Sequence, residues 1–249
     1  MARIPYALPL LFLTTLAVHA QRPELKGWEP TFTEEFNTKE LEFPKWSLHD
    51  PWGHPRNRES QLWTPESVEL ANGSAKLIAR KNAGYTSGII TTYGSFAQTY
   101  GRFEIRCKIP AGQGLLPKFW LLPIPSGEIP SIDILAVTGQ QPTKALFSNT
   151  WGDEKTERSY SGSWDTADLS KDFHTFTLEW REDKLIWFID GKERFRSTQG
   201  VPHQPMYLIA SLAVGGTEAK WPDSSTPFPA AFEIDYIRVW RQAEPPPSR

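Results

Sequence analysis

Two carboxylic acids lie close together near the middle of the chain. Glu128 is five positions before Asp133, which belongs to a predicted strand from Ser131 to Ala136. A bulge at Pro130 and Ser131 would bring both carboxyl groups into one cleft, where they could supply acid–base chemistry. The alternative interpretation is that Glu128 is a solvated loop residue and that Asp133 is a buried carboxylate bound by backbone donors.

Composition argues against several other kinds of site. Cys107 is the one cysteine among 249 residues, so we expect no disulfide framework, no disulfide-linked partner and no cysteine metal cluster. Its apolar strand neighbours predict a buried, inert thiol. The five histidines show no metal-ligand spacing, and a formal net charge of −2 argues against nucleic acid as the partner. We therefore expect no cofactor, apart from the structural ion considered below.

Alternating hydrophobicity predicts the elements that carry these residues. From Arg102 to Ile109, apolar and charged side chains alternate, which is typical of a half-buried strand. Asn72-Gly73 and Asp190-Gly191 each separate two short apolar runs and predict hairpins. Helical periodicity does not persist beyond the N-terminal segment. The pattern predicts one all-β domain, a sandwich or jelly roll.

The two ends of the chain are predicted to lie outside this domain. Residues 1–20 combine an early arginine, an apolar run too short to span a membrane and a small-x-small end, which is typical of a signal peptide. We expect an exported domain at 21–243, no membrane span and a disordered Pro-rich tail at 244–249.

Several segments follow one another in an order that is informative when taken together. They are Glu34 to Asn37, Lys45-Trp46, Asn57 to Gln61, Tyr100 to Arg106, Gly112 to Leu122, Ala213 to Gly216, Ser225 to Pro229 and Asp235 to Trp240. These segments resemble glycoside hydrolase family 16, the laminarinase and lichenase β-glucanases, and the resemblance covers roughly residues 28–241. It implies a concanavalin-like β-sandwich jelly roll with a concave cleft, and a polysaccharide partner, β-glucan above all.

The catalytic strand departs from the pattern of that family. Its members carry Glu-x-Asp-x-x-Glu, and a bulge returns the last side chain to the face of the first two. Aligned through Asp133, Ser131 occupies the nucleophile position and Ala136 occupies the acid/base position. The surviving aspartate supports the nucleophile in the family. Serine without a base is a poor nucleophile and alanine transfers no proton, so we expect hydrolysis to be lost or very weak.

Three hypotheses for function follow. The first is a secreted pseudoenzyme that binds β-glucan or a related glycan with little or no hydrolysis. The second is an active endo-β-1,3(4)-glucanase or transglycosylase that uses Glu128 with Asp133 as a non-standard acid pair. The third is a cleft that has been repurposed for a non-sugar ligand or another reaction.

The resemblance also suggests binding residues, each with a plainer structural alternative. Indole rings suit the C–H faces of sugars, but they equally suit a sandwich core. Polar side chains could bond sugar hydroxyls or could simply belong to loops and solvated faces. Glu35 and Asp235 match positions that hold a calcium ion in the family. The predicted substrate-binding residues are Trp120, Glu59, Asn57, Trp151, Trp63 and Arg106.

Overall fold

The computed structural model describes residues 25–53, 57–125, 127–153 and 155–244. The predicted signal peptide at 1–20 lies outside these residues, as does the predicted tail at 244–249 except for Glu244. Within the described ranges, no helix is long and apolar enough to cross a membrane. The regular helical structure in them is one 3₁₀ turn, Pro65–Ser67.

The described residues form sixteen β-strands. The strands are β1 (Trp28–Glu34), β2 (Gln61–Trp63), β3 (Val68–Ala71), β4 (Ser74–Lys81), β5 (Tyr85–Ser87), β6 (Ile89–Thr91), β7 (Gly101–Lys108), β8 (Leu115–Pro123), β9 (Ser131–Ala136), β10 (Lys144–Trp151), β11 (Arg158–Asp165), β12 (His174–Trp180), β13 (Leu185–Ile189), β14 (Lys192–Ser197), β15 (Met206–Val214) and β16 (Ala230–Gln242).

The strands build two sheets that enclose one hydrophobic core. The larger sheet has the order β14-β13-β12-β7-β16-β4-β5-β2, with β1 paired to β16 and β3 paired to β4. The smaller sheet has the order β11-β10-β9-β8-β15-β6. Inward side chains of both sheets meet in a single buried cluster. This architecture confirms the predicted all-β sandwich.

Strand β7 shows how the sequence pattern determines the layers. Phe103, Ile105 and Cys107 are buried in the core, whereas Arg102 and Arg106 point to the outer face, where they form ion pairs. Burial raises the pKa of the Cys107 thiol well above its ordinary value. The thiol therefore stays protonated, as expected for an inert buried cysteine.

Both predicted hairpins are present. Asn72 and Gly73 join β3 to β4 with φ values of 56° and 75°, and Asp190 and Gly191 join β13 to β14 with φ values of 50° and 72°. Two consecutive residues in the left-handed region form the tight turn that matches the twist of paired strands. Asparagine, aspartate and glycine tolerate that conformation, which is why the sequence predicts these turns.

Candidate functional site

The outer face of the smaller sheet carries a polar groove. Its volume is about 420 Å³, and its floor is built from side chains of β9, β10 and β11 that point away from the core. We call this surface the groove face. The residues that line the groove are Asp133, Ala136, Lys144, Leu146, Phe147, Ser148, Ser161, Gly162, Ser163 and Glu218.

A bulge in β9 brings Asp133 and Ala136 to the same side of the sheet. Asp133 pairs with Trp120 of β8, and Ala136 pairs with Lys118 of β8, so three steps along β9 match two steps along its neighbour. The register with β10 contains the same irregularity. Ile134 and Leu135 both enter the core instead. The bulge therefore follows Asp133, where the resemblance to the family implies one.

Asp133 is held by two side chains rather than by the expected backbone donors. The Ser148 hydroxyl donates a 2.6 Å hydrogen bond to one carboxylate oxygen. The Lys118 ammonium lies 3.2 Å from the other. With both oxygens engaged, Asp133 has a fixed orientation on the floor of the groove.

Lys118 is a buried cation between two acids. Its ammonium also lies 3.4 Å from Glu218 and 5.2 Å from the centre of the Trp120 ring. Burial alone would lower the pKa of Lys118, but the carboxylates of Asp133 and Glu218 outweigh it and raise the pKa above its ordinary value. The ammonium therefore remains charged at neutral pH.

Lys118 and Glu218 were not among the predicted site residues. One signal was available, because Lys118 is the only charged residue in a nine-residue strand whose positions are all buried. A buried charge requires a partner. Its partner Glu218 lies one hundred positions further along the chain, and no local spacing indicates it.

Glu128 does not take the place that the second hypothesis requires. It lies in an exposed loop before β9, and the strand is already in register at Ser131, which pairs with Thr150. The β9 bulge follows Asp133 instead of preceding it. Within the described part of the chain, Glu128 is not among the residues that line the groove around Asp133.

Aromatic side chains occupy the other half of the groove face. Trp120 joins Ile89, Leu122, Tyr207 and Ile209 in a cluster on this face, and Trp52 and Trp63 pack against it. The Trp120 ring is only 9% exposed, because Trp52 lies beside it with ring centres 5.7 Å apart. The more accessible indoles of Trp52 and Trp63 therefore offer more stacking surface than Trp120.

Asn57 and Glu59 lie beside the segment that carries Glu218. Glu59 forms an isolated bridge with Gly215 and accepts a 2.8 Å hydrogen bond from the Gln61 amide. The backbone N–H of Thr217 donates to the Asn57 carbonyl. The structure therefore brings both predicted residues to the glycine turn that precedes Glu218.

An exposed tryptophan near this turn was also missed. Trp221 is 57% exposed, and its ring lies so close to Gly215 that an added Cβ there would be 3.0 Å from it. Its position after Lys220 in a loop gives no periodic signal. It is a further aromatic surface near the end of the groove face.

Two predicted substrate-binding residues lie elsewhere. Arg106 is in the larger sheet and points to the outer face opposite the groove, where it pairs with Asp235 at 2.5 Å and lies over the Phe173 ring. Trp151 packs against Gly200, where an added Cβ would lie 2.0 Å from its ring. Alternation shows which residues share a strand face, but not whether that face belongs to the groove or to the opposite side.

The predicted calcium ligands do not fit a cation site. Glu35 is bound by Arg238 through two hydrogen bonds of 2.8 Å, and Asp235 is paired with Arg106. Arginine neutralises both carboxylates, so neither offers calcium an uncompensated charge. Among the described residues, no three His, Cys, Asp or Glu side chains gather in a group that could hold a metal ion.

Comparison with known proteins identifies the family. A family model described as "Glycosyl hydrolases family 16" matches residues 56–238. The chain belongs to this family. It is 33% identical over 239 residues to the endo-1,3-1,4-beta-glycanase ExsH of Rhizobium meliloti, with 84% of this chain and 51% of the relative covered. This family 16 chain therefore spans about half the length of that relative.

A second relative of this family 16 chain has a different description. The chain is 27% identical over 231 residues to a protein of Penaeus monodon named "Beta-1,3-glucan-binding protein", with 63% of each covered.

Solved structures agree with the family assignment. The catalytic domain of an endo-1,3-beta-glucanase from Thermotoga petrophila superposes with a TM-score of 0.78 at 29% identity, covering 87% of this chain and 99% of that domain. SCLam, a non-specific endo-beta-1,3(4)-glucanase, has been solved as a glutamate-to-serine mutant with 1,3-beta-D-cellobiosyl-glucose at its active site. That structure has a TM-score of 0.77 and 26% identity, and covers 88% and 97% of the two chains.

Proposed function

We propose that this family 16 protein is exported, binds β-glucan or a related glycan in its groove, and hydrolyses it little or not at all. The observation that carries the proposal is the set of side chains that β9 presents to the groove. Its groove-facing positions hold a hydroxymethyl group at Ser131 and a methyl group at Ala136, on either side of a single carboxylate. Retaining hydrolysis uses two carboxyl groups about 5–5.5 Å apart, one as nucleophile and one as acid/base.

The remaining groups on this strand are poorly suited to that chemistry. Ala136 has no proton to transfer, and acid–base catalysis typically contributes about 10²–10⁴-fold to a rate. The hydroxyl nearest to Asp133, that of Ser148, donates its hydrogen bond to the carboxylate. The Lys118 ammonium lies 3.2 Å from the other oxygen of Asp133, so both oxygens of this carboxylate are already engaged by neighbouring side chains.

Binding a glycan requires hydrogen-bonding groups and stacking surfaces but no pair of catalytic carboxyl groups. The groove offers groups of both kinds. It offers a row of hydroxyl groups from Ser148, Ser161 and Ser163, and aromatic surfaces from Trp52 and Trp63 lie beside it. Two relatives support this interpretation. One is named for glucan binding, and the other holds an oligosaccharide at its active site after a glutamate was replaced by serine.

The test combines two measurements on the same protein preparation. We expect laminarin or barley β-glucan to retard the chain in affinity electrophoresis, while release of reducing ends stays far below the ordinary enzyme range of about 1–10³ s⁻¹. A turnover within that range would show that the chain is an active glucanase. Failure to bind either glucan, together with binding to another compound on a ligand array, would favour a repurposed cleft.

A further inference from the structure

Two carboxylates on different parts of the chain face one groove and share one ammonium group. Asp133 on β9 and Glu218 in the loop after β15 both line the groove. The Lys118 ammonium lies 3.2 Å from the first and 3.4 Å from the second. In the part of the chain that the structure describes, Lys118 itself is not a lining residue. The cation therefore lies behind the two acids, and the acids face the ligand space.

Several strands and loops place charged side chains near Asp133 and Glu218. Among the described residues, Lys118 is the cation that forms an ion pair with both of them. Lys144 of β10 lines the same groove and stands opposite Asp165 of β11 in the strand register. Glu59 lies beside Gly216, two residues before Glu218. The acids therefore have acidic as well as basic neighbours, and the direct compensation of their charge comes from Lys118.

We propose that Asp133 and Glu218 form a paired acceptor site for neighbouring hydroxyl groups of a bound sugar, and that Lys118 positions this pair from behind. The proposal deepens the function proposed above and rests on it. Carboxylates that are fixed and ionised accept shorter and stronger hydrogen bonds from hydroxyl groups than neutral acceptors do. The ligand class is a β-glucan that presents two free hydroxyl groups close together, on one sugar unit or on two adjoining units.

The division of roles follows from burial. Side-chain exposure is 10% for Lys118, 16% for Asp133 and 37% for Glu218, so Glu218 is the most accessible of the three groups and Lys118 the least. Ser148 of β10 and Lys118 of β8 each engage one oxygen of Asp133 from the two strands that flank β9, and each carboxylate oxygen keeps a further lone pair for a sugar. Without the ammonium, two carboxylates in a partly buried site would repel each other.

The first experiment removes the more exposed acceptor. We expect Glu218→Gln to weaken binding of laminarihexaose about tenfold or more, since it replaces a charged acceptor by a neutral one. Glu233→Gln and Lys76→Met provide matched controls, because these residues form a lysine–glutamate pair in the larger sheet. Unchanged affinity in Glu218→Gln would overturn the acceptor role.

The second experiment separates positioning from general stability. The measurement is the affinity for laminarihexaose as a function of pH. In Lys118→Met, the loss of affinity on the acid side should occur about one pH unit or more higher than in the wild type, because the two acids lose their shared cation. Lys118→Arg, which keeps the positive charge, should show the same pH dependence of affinity as the wild type. If Lys118→Met binds weakly with an unchanged pH dependence, or if arginine fails to restore the wild-type pH dependence in a folded protein, the positioning role is wrong.

Binding by the wild-type protein distinguishes failure of the acceptor-pair inference from failure of the proposed function. A wild type that binds laminarihexaose, together with variants that bind equally well at every pH, overturns this inference alone. A wild type that binds neither laminarihexaose nor mixed-linkage β-glucan overturns the proposed function and the inference together.

Discussion

The methyl group of Ala136 on β9 lies next to Lys118 on the neighbouring strand β8. Lys118 and Ala136 are register partners on β8 and β9, so an acid introduced at 136 would meet a cation at once. A general acid must carry a proton near the working pH, which a neighbouring cation opposes. The loss of hydrolysis proposed here therefore involves the residue opposite the acid/base position as well as that position itself.

This arrangement leads to a prediction about restored activity. Ser131→Glu with Ala136→Glu should give detectable but weak laminarin hydrolysis, and adding Lys118→Ala should increase it, because the new acid is then free to hold its proton. Release of reducing ends measures both steps. The single variant Ala136→Glu controls for the charge change alone, since it lacks a nucleophile. An inert double and triple variant, both folded, would show that either the cleft has drifted or the aligned register is wrong.

Sequence patterns could predict part of this site. The spacing around Asp133 and the resemblance of the strand to the family indicated which β9 side chains share a face. The ion pairs of Lys118 were not predictable in the same way, because Glu218 reaches it only through a contact between distant segments. The hypothesis that Glu128 pairs with Asp133 required a bulge before the aspartate, whereas the bulge in β9 follows it.

At the scale of elements, one wall of the groove depends on the packing between two edge strands. Strand β11 supplies Ser161 and Ser163 to the groove, while its other face contacts β14. Phe195 stacks on Tyr160 with ring centres 5.5 Å apart, and it lies directly against Gly162. The glycine allows the ring to approach the strand backbone, so a contact on the inner side fixes the position of the serine row.

Gly162→Ala tests this contact. The added Cβ would lie 2.2 Å from the Phe195 ring, so we expect a loss of about 1–3 kcal/mol from the free energy of unfolding and weaker glucan binding. Urea unfolding and affinity electrophoresis measure the two effects. Gly84→Ala is the matched control, because its added Cβ meets no atom within 4 Å. Equal stability of the two variants would argue against the role assigned to Phe195.

The strands themselves were the most predictable part of the molecule. Alternation from Arg102 and the turn residues Asn72-Gly73 and Asp190-Gly191 predicted elements that the structure contains. Local patterns reflect local geometry, which explains this success. The same patterns do not reveal how strands are arranged in sheets, and this is why Arg106 was expected in the groove although β7 belongs to the larger sheet.

At the scale of the whole molecule, a buried acid connects the first strand to the loop that follows it. Glu34 accepts hydrogen bonds from the backbone N–H of Phe36 and from the Trp46 indole, both 2.9 Å, and pairs with Lys45 at 2.8 Å. Burial alone would raise the pKa of Glu34, but the Lys45 and Trp46 contacts and the Phe36 N–H outweigh it and lower the pKa below its ordinary 4.5.

The sign of this shift predicts a pH dependence of stability. The contribution of Glu34 is complete above its unfolded-state pKa of 4.5 and is lost as the pH falls through the lower folded-state pKa. We expect Glu34→Gln to cost about 1–3 kcal/mol near neutral pH and less at about pH 3, so its acid profile should be flatter. Urea unfolding across that range measures this. The exposed Glu66→Gln should follow the wild-type profile, and a Glu34→Gln profile parallel to it would contradict the assignment.

The ammonium at the groove also has a consequence for substitution at these positions. Its two acidic neighbours compensate it jointly, and removing one partner of a buried ion pair commonly costs about 3–5 kcal/mol. A single substitution at Lys118, Asp133 or Glu218 would leave an uncompensated charge, and marginally stable proteins tolerate such changes poorly. The three positions are therefore expected to change together more readily than one at a time.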